Sequence, residues 1–359
     1  MKICNACYQQ YGPFQNVEIG DTTECEIHRL ISNISAYTKE IEEKIKNIEF
    51  ETFVIGVTLK DKLQTTTPEK VQAIKKIIAK PIGQYIEDRG KKADFKNPDI
   101  TIHINTISGR VKIQIHPIFI YGEYNKYKRG IPQTKWPCRN CKGKGCEKCN
   151  FTGKQYPTSV EELIAKTFLE VSGAKDESFH GAGREDIDAR MLGDGRPFIL
   201  ELKEPQRRTF NLEKIEKIIN EQNKDVIAVH NLKYACKKDV AKLKEAKFDK
   251  TYIAEVECNK EITKDDIEKI NEIKNVLLEQ YTPARVEHRR AKKTRHRSVY
   301  YVKVLNTDKN KMTIEVKAES GTYIKEFISG DDGRTTPSIS EILNKPCRCT
   351  ALDVIKIWW

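Results

Sequence analysis

Two aspartates stand close together in a stretch of the sequence that is rich in glycine and arginine. Asp186 and Asp188 lie within residues 179–203, and three arginines flank them, namely Arg184, Arg190 and Arg196. Neighbouring cations keep a carboxylate ionised where water is excluded, which is what a nucleophile or a base requires. The same residue types also form salt-bridged loops, so the spacing alone leaves a chemical site and a structural loop equally open.

Six of the eleven cysteines form three Cys-x-x-Cys pairs, at Cys4 and Cys7, Cys138 and Cys141, and Cys146 and Cys149. A pair of thiolates grips tetrahedral Zn²⁺ at about 2.3 Å per bond, and we expect these cysteines to stay reduced. No histidine or carboxylate accompanies the pairs, so we expect roughly one structural zinc ion and no catalytic one. The residues do not say which pairs share it. Cys25 and His28 are spare candidates for metal ligands. A lone histidine, however, is more often a surface or capping residue.

The residues before the later cysteine pairs alternate strand and helix patterns. Residues 53–59 form an apolar run typical of a buried strand, and residues 68–89 carry apolar side chains at helical spacing, with Pro81 as a kink or break. Two alternating strands, 99–105 and 111–117, follow and are joined at a Ser-Gly turn. This order predicts an α+β unit.

A second domain is predicted to begin after residue 155. Thr158 and Glu161 form a capping-box pattern that starts an amphipathic helix. Further on, Asp194-Gly195 has the composition of a hairpin turn with residues 197–203 as the return strand, which would place Asp186 at the rim of a hairpin. We therefore predict one domain at residues 1–155 and another at residues 156–359.

The balance of charge favours a polyanionic partner. Lys and Arg number 64 against 52 acidic residues, a net charge of +12 that suits nucleic-acid binding but also a surface of solvated charge. No apolar stretch has the length of a membrane span and the N-terminus lacks a signal-peptide pattern, so we expect a cytoplasmic protein. The densest cluster, residues 285–297, predicts RNA-backbone contacts by Arg289, Arg290, Lys292, Lys293, Arg295 and Arg297.

Tyrosines and cations also interleave within residues 118–130. The aromatic rings could stack on bases while the cations meet phosphates, or the segment could be a strand edge with solvated lysines. The sequence leaves both interpretations open for Tyr121, Tyr124, Lys126, Tyr127, Lys128 and Arg129.

Residues 183–198 resemble the catalytic signature of the archaeal and eukaryotic tRNA pseudouridine synthases that act on positions 54 and 55 of the TΨC arm. Residues 250–254, 321–327 and 351–354 resemble the segments of that family that stack on the target uracil, pair with the catalytic aspartate and close the pocket. Residues 50–130 resemble a THUMP domain, a module of several RNA-modifying enzymes. The resemblance implies an α+β protein with a zinc-binding, THUMP-like N-terminal domain and a synthase domain built on a mixed, mainly antiparallel sheet.

The resemblance also implies roles for individual residues. Asp186 would be the nucleophile and Asp188 a supporting residue, Lys325 would pair with Asp186, and Tyr252 would stack on the extruded uracil. Further substrate contacts would come from Tyr323, Ile324, Leu352 and Arg184.

Zinc ligation and partners follow from the same resemblance. Cys4 and Cys7 would join a later cysteine pair and tie the N-terminus to the end of the first domain. The substrate would be tRNA, the chemistry would need no small-molecule cofactor, and a monomer is favoured.

Three other functions fit parts of the sequence. Asp188 followed by Glu201-Leu-Lys203 is similar to the acidic set that holds Mg²⁺ in one class of nucleases, and a Mg²⁺ requirement would distinguish it. A THUMP-bearing methyltransferase is disfavoured because no glycine-rich loop follows a strand to cradle a nucleotide. A zinc-stabilised RNA-binding protein without catalysis would be distinguished by a test of activity on tRNA.

Overall fold

The chain folds into two compact units in a computed structural model that describes residues 1–288 and 290–358. The first unit consists of Met1–Ile118, Phe168–Ser178 and Glu201–Phe210, and the second of Phe119–Thr167, Phe179–Leu200 and the chain from Asn211 onward. These bounds differ from the predicted division near residue 155. The reason is that the strand beginning at Ile118 pairs in the sheet of the second unit, so that the segment up to Thr167 belongs there.

The first part of the chain contains short strands and helices in alternation. They are β1 Lys2–Cys4, α1 Asn5–Tyr11, β2 Glu18–Gly20, α2 Glu26–Ser32, α3 Ile34–Ile45, β3 Thr52–Thr58, α4 Pro68–Glu87, β4 Lys92–Ala93, β5 Ile100–Asn105 and β6 Arg110–Ile115. The order β4-β3-β5-β6 forms a four-stranded sheet in which β3 and β5 are parallel and β5 and β6 antiparallel.

Helix α4 packs one apolar face into the core of the first unit. Ile74, Ile78, Ile82 and Ile86 recur at helical spacing and are all buried, as the sequence pattern predicts. Pro81 lies inside α4 without ending it. The predicted strands 53–59, 99–105 and 111–117 correspond to β3, β5 and β6, so the α+β prediction is confirmed for this region.

The rest of the chain builds a large mixed sheet with helices beside it. Its elements are β7 Ile118–Lys126, α5 Val160–Ser172, β8 Asp176–Gly181, β9 Arg190–Lys203, α6 Leu212–Gln222, β10 Ile227–Ala235, α7 Lys237–Glu245, β11 Asp249–Cys258, α8 Lys264–Asn271, β12 Lys274–Gln280, β13 Arg295–Asp308, β14 Lys311–Ala318, α9 Ile324–Ser329, β15 Thr335–Thr336, α10 Ile339–Leu343 and β16 Cys347–Trp358.

The strand order of this sheet is β10-β7-β9-β16-β11-β14-β13-β12-β15, with β8 paired to β9. The contact between β16 and β9 is parallel, whereas the pairings among β10, β7, β11, β12, β13, β14, β15 and β16 are antiparallel. The predicted mixed, mainly antiparallel sheet is therefore confirmed. Within the described residues, no helix combines the length and the apolar character that crossing a membrane would need.

Two local predictions near the second unit need correction. Helix α5 begins after Ser159, whose hydroxyl accepts from the backbone N–H of Glu162 at 3.2 Å, so the cap lies one residue later than the predicted Thr158. Asp194-Gly195 is not a hairpin turn, because it lies inside the continuous strand β9. Gly193 bends this strand at φ 63°, where a Cβ would come within 1.9 Å of the carbonyl oxygen of Ile355. Asp186 therefore sits in the loop between β8 and β9, residues 182–189, hereafter the Asp186 loop.

Candidate active site

Asp186 lies between two cations from distant parts of the chain. Its Oδ1 accepts from Nη1 of Arg285 at 2.8 Å, and its Oδ2 lies 3.6 Å from Nζ of Lys325. Arg285 belongs to a 3₁₀ turn, Ala284–Val286, and Lys325 to the first turn of α9. The Asp186 side chain is 26% exposed, so a substrate can reach a carboxylate that two cations contact.

Lys325 makes its shortest contacts with Asp188 rather than with Asp186. Its ammonium donates to both carboxylate oxygens of Asp188 at 2.7 Å. Burial alone would raise the pKa of Asp188, but the hydrogen bond and the charge of Lys325 outweigh burial and hold that pKa below its ordinary value. Lys325 therefore contacts both aspartates, and the supporting role of Asp188 stays a prediction.

Arg285 is the residue of this site that sequence reasoning assigned elsewhere, as one cation of the predicted RNA-binding cluster. Its Nε donates to Oε1 of Glu326 at 2.6 Å and its Nη2 to Oε2 of the same carboxylate at 3.3 Å. Glu326 is nearly fully buried, with 5% of its side chain exposed. This two-point contact fixes the guanidinium plane, which then presents a third donor to Asp186. Nothing in the sequence distinguishes Arg285 from the arginines that follow it.

Tyr252 and Leu352 share one face of the sheet. In the antiparallel pair of β11 and β16, Tyr252 lies opposite Val354 and Ala254 lies opposite Leu352, and side chains two residues apart point to the same side of a strand. Both side chains are buried. Burial raises the pKa of Tyr252 to about 12, so its ring is neutral and apolar at physiological pH. The two predicted pocket residues thus lie on the same face, at diagonal positions of the two strands.

The segment before α9 is fastened by a buried glutamine. Gln280 is fully buried, accepts from the backbone N–H of Tyr323 at 2.9 Å and donates to the carbonyl oxygen of Tyr323 at 3.0 Å. The Arg295 guanidinium lies 5.8 Å from the centre of the Tyr323 ring. Ile324 is buried and starts the helix that carries Lys325. Gln280 therefore sets the backbone from which Lys325 reaches the two aspartates.

Asp353 ties the closing strand to the Asp186 loop. Arg190 donates to its two oxygens at 3.0 and 2.5 Å, and Arg129 Nη2 lies 2.6 Å from Oδ1. Arg129 also donates to the carbonyl oxygens of Asp188 and Leu352, both at 2.8 Å. Burial would raise the pKa of Asp353, but the two arginines outweigh it and hold that pKa below its ordinary value.

The RNA-binding interpretation of residues 118–130, one of the two that the sequence leaves open, is wrong for Tyr124, Lys126 and Arg129. Tyr124 and Lys126 are fully buried, and Arg129 is committed to Asp353 and to two carbonyl groups. Strand β7 lies between β10 and β9, and most of its side chains on both faces are buried, whatever their polarity.

The predicted RNA-backbone cations divide into paired and exposed ones. Lys292 lies 2.8 Å from Glu287, Arg297 lies 3.4 Å from Glu319, and Arg295 donates to the hydroxyl of Thr282 at 3.0 Å. Arg289 lies outside the described residues. The last two cations of the set, Arg290 and Lys293, are exposed and have no ion pair within residues 1–288 and 290–358, and the same holds for Arg184, which the resemblance gives as a substrate contact.

Two groups of side chains have the arrangement of a metal site, where we predicted roughly one. In the first, Cys4, Cys7, Cys25 and His28 bring their donor atoms within 4.8 Å of one another, with His28 Nδ1 at 3.7 Å from Cys4 Sγ and 3.8 Å from Cys7 Sγ. The implied pairing of Cys4 and Cys7 with a later pair is therefore wrong. Strand β2 pairs with β1 and leads into α2, so it delivers Cys25 and His28 instead.

The second group consists of Cys138, Cys141, Cys146 and Cys149. Sulfur atoms in this group lie 3.7 to 4.0 Å apart, close to the spacing of about 3.8 Å that tetrahedral bonds of about 2.3 Å produce. Burial would raise the pKa of Cys149, but backbone N–H donors, including that of Gly153 at 3.3 Å from Sγ, lower it to about 6. Both groups fit Zn²⁺, and each is complete within one unit of the structure.

Comparison with known proteins identifies the family of the chain. The family described as Pus10, C-terminal matches residues 119–358, and the family described as Pus10 THUMP domain, archaeal, matches residues 37–105. The chain belongs to the Pus10 family. Members of this family are tRNA pseudouridine synthases, so the chain is an enzyme of the isomerase class with a THUMP domain near its N-terminus.

Archaeal relatives cover most of the chain. The tRNA pseudouridine synthase Pus10 of Methanocaldococcus jannaschii is 49% identical over 88% of this chain and 70% of its own length. That of Methanothermobacter marburgensis is 43% identical over 88% and 81%, and that of Archaeoglobus fulgidus is 38% identical over 99% and 100%.

The nuclease alternative finds no support in the described residues. Asp188 accepts from Lys325, and Lys203 donates to Asp176 at 2.8 Å, so two of the three residues of the proposed nuclease motif have other partners. Both metal-site arrangements found in the described part of the chain are built on cysteine rather than on carboxylates. Membership of the Pus10 family likewise argues against the methyltransferase and the non-catalytic alternatives.

Proposed function

We propose that this enzyme converts uridine to pseudouridine at position 54, position 55 or both in the TΨC arm of tRNA, with Asp186 as the nucleophile. The observation that carries the assignment is the position of Asp186, a reachable carboxylate held by Arg285 and Lys325. The names of the relatives support tRNA as the substrate, and the THUMP domain supports RNA binding. A cytoplasmic location and a monomeric state stay predictions.

The chemistry suits a carboxylate that works without a cofactor. The bond between uracil N1 and ribose C1′ breaks, the base turns, and a bond forms between C5 and C1′, while C5 loses a proton and N1 gains one. No group is donated and there is no net redox change. Asp186 could attack C1′, add to C6 of the uracil, or remove the proton at C2′, and each route needs it ionised.

Tyr252 and Leu352 supply the apolar side of the proposed pocket. A uridine must leave its stack to reach Asp186, at a cost of a few kcal/mol. The Tyr252 ring would replace part of the lost stacking, and Leu352 would keep water from the reacting base. The exposed Arg184, Arg290 and Lys293 would contact phosphates, and Tyr323 would contact the substrate beside α9.

The two cysteine groups are proposed to hold one structural Zn²⁺ ion each. Zinc supplies folding free energy at such sites and no step of the reaction, because four protein ligands leave no open coordination position. Cys4, Cys7, Cys25 and His28 would bind the first ion, and the four later cysteines the second.

Substitution of Asp186 tests the proposed function. Asp186→Asn keeps the size of the side chain but removes the nucleophile, so pseudouridine formation on an unmodified tRNA transcript should fall below detection while tRNA affinity stays within about threefold. Asp188→Asn is the matched control and should keep measurable activity. Nearest-neighbour mapping of pseudouridine identifies the position modified. Wild-type activity of Asp186→Asn, in protein free of host synthases, would refute the assignment.

A further inference from the structure

A group of charged and polar side chains lies buried beneath the Asp186 loop. Lys126, Glu185, Arg196 and Tyr124 are each at most 1% exposed. Lys126 Nζ lies 3.6 Å from Oε1 of Glu185, and Arg196 Nε lies 3.0 Å from Oε2. The Tyr124 hydroxyl donates to the same carboxylate at 2.8 Å. Two cations therefore share one carboxylate in the interior of the second unit.

This buried group holds the backbone of the Asp186 loop by its carbonyl oxygens. Lys126 Nζ donates to the carbonyl oxygens of Asp186 and Ile187, both at 3.2 Å, and to that of Ile131 at 2.9 Å. The loop has no helix or strand between β8 and β9, so most of its carbonyl groups have no ladder partner. A lysine ammonium has three N–H donors and no acceptor, so it can donate to several carbonyl oxygens at once.

Two neighbours of Lys126 hold the first half of the loop in the same way. Gln133 Nε2 donates to the carbonyl oxygen of Gly183 at 3.0 Å, and Arg196 Nη1 donates to that of Ala182 at 2.7 Å. Gln133 also donates to the Tyr124 hydroxyl at 2.9 Å, which joins it to the buried group. The carbonyl oxygens of residues 182, 183, 186 and 187 therefore each accept from a buried side chain. Those of Asp186 and Ile187 accept in addition from the backbone N–H groups of Ala189 and Gly130, at 3.0 and 2.9 Å.

We propose that Lys126 and Gln133 together are positioning residues for the isomerisation, acting through the backbone of the Asp186 loop, Lys126 at Asp186 and Ile187 and Gln133 at Gly183. A buried cation is unfavourable unless its geometry is well satisfied, and packing alone would be served better by an apolar side chain. A carboxylate that is displaced by about 1 Å loses about a hundredfold in rate. The inference rests on the proposed role of Asp186 as the nucleophile.

The test compares Lys126→Met with Lys345→Met. Methionine keeps the length of lysine but donates no hydrogen bonds. Lys345, with 15% of its side chain exposed, pairs with the buried Asp266 and donates to the carbonyl oxygen of Glu261. It is an ion-paired lysine of the same unit whose hydrogen bonds, among the described residues, do not go to the Asp186 loop. For each protein, the melting temperature, the tRNA affinity and the single-turnover rate at saturating tRNA are measured, and the rate is normalised to folded protein.

Both variants should melt at lower temperature, but only Lys126→Met should lose about tenfold to a hundredfold in single-turnover rate, with tRNA affinity unchanged. An equal rate for the two variants would reduce Lys126 to a structural residue and overturn the proposal. If Lys126→Met does not fold, Gln133→Leu decides, because it removes an uncharged donor to the loop. It should lower the rate about threefold to tenfold, and a wild-type rate would overturn the proposal.

Failure of this inference differs from failure of the proposed function. If Asp186→Asn is inactive while Lys126→Met and Gln133→Leu turn over at the wild-type rate, Asp186 is the nucleophile and the buried group does not position it. If Asp186→Asn is active, the proposed function itself fails.

Discussion

Arg285 and Glu326 form a two-point ion pair that aims a third guanidinium donor at Asp186. The contacts to Glu326 measure 2.6 and 3.3 Å, and the remaining Nη1 reaches Asp186 Oδ1 at 2.8 Å. A planar guanidinium held at one edge has a fixed direction at the other, so this pair orients the carboxylate as well as neutralising it. Lysine could not provide both contacts in one plane.

We therefore expect Arg285→Lys to lower the single-turnover rate about tenfold and Arg285→Gln about a hundredfold. Both values follow from the loss of orientation, and the larger one also from the loss of charge. The double variant Arg285→Gln/Glu326→Gln removes the buried carboxylate that the single variant leaves unpaired. It should recover thermal stability without recovering rate. Recovery of the rate in the double variant would show that Arg285 acts only through stability.

Tyr252 should act through its ring rather than its hydroxyl group. Tyr252→Phe keeps the stacking surface, so its rate should stay within about threefold of the wild type. Tyr252→Leu keeps most of the buried volume but loses the aromatic face, and a base-stacking contribution of about 1–3 kcal/mol predicts a loss of roughly tenfold to a hundredfold. The readout is single-turnover pseudouridine formation. Equal rates for the leucine and phenylalanine variants would refute stacking.

Elemental analysis should find about two zinc ions per chain in freshly purified, reduced protein. Cys141→Ser should lose one ion and keep the other, because the remaining ligands lie in the other unit. Cys25→Ser should lose the other ion, the one proposed to be bound by the group that contains Cys25, and keep the ion of the group that contains Cys141. Cys236→Ser is the control, since Cys236 is exposed and belongs to neither group. Loss of both ions from either single variant would show that the two groups are not independent sites.

Asp353 should make stability depend on pH in acid. Its folded pKa is lowered, so its contribution is complete above the unfolded value of about 3.9 and is lost as pH falls through the folded value. Asp353→Asn should reduce the free energy of unfolding by about 1–3 kcal/mol at pH 7, and the difference from the wild type should shrink below about pH 4. Urea unfolding from pH 7 to 3 measures this, with the exposed Asp308→Asn as control.

The sequence predicted the elements of the fold better than the partners within the site. Residues of α4, β3 and β5 follow simple apolar periodicities, so their structure could be inferred from local patterns. The bend of β9 could not, because Asp194-Gly195 has the same composition in a turn and in a distorted strand. Only the neighbouring strand β16, whose Ile355 carbonyl approaches Gly193, explains the bend.

The chemical residues were predictable only where a motif names them. The motif names Asp186, and the later segments name Tyr252 and Lys325, but the contact between Arg285 and Asp186 joins residues almost a hundred positions apart. The burial of Lys126 could not be predicted either, because its neighbours in sequence are polar. Its hydrogen-bond acceptors are backbone carbonyl groups, which no sequence pattern marks. Cys25 and His28 were undervalued for a similar reason, since a ligand pair is recognisable only when its partners are known.

The first compact unit is discontinuous in sequence, and this restricts how the protein can be dissected. Residues 168–178 and 201–210 complete a unit that otherwise ends at Ile118. Arg208 binds Asp99 at 2.9 Å, and the Thr209 hydroxyl donates to Glu49 at 2.5 Å, so residues 201–210 are fastened to the rest of the unit. The backbone N–H groups of Gln206 and Arg207 both donate to the carbonyl oxygen of Ser172 at 2.9 Å, which joins residues 168–178 to that segment. A cut between Ile118 and Phe119 therefore leaves neither piece with one complete unit alone. An autonomous RNA-binding fragment would instead require the two internal segments to be grafted onto its C-terminus through new linkers.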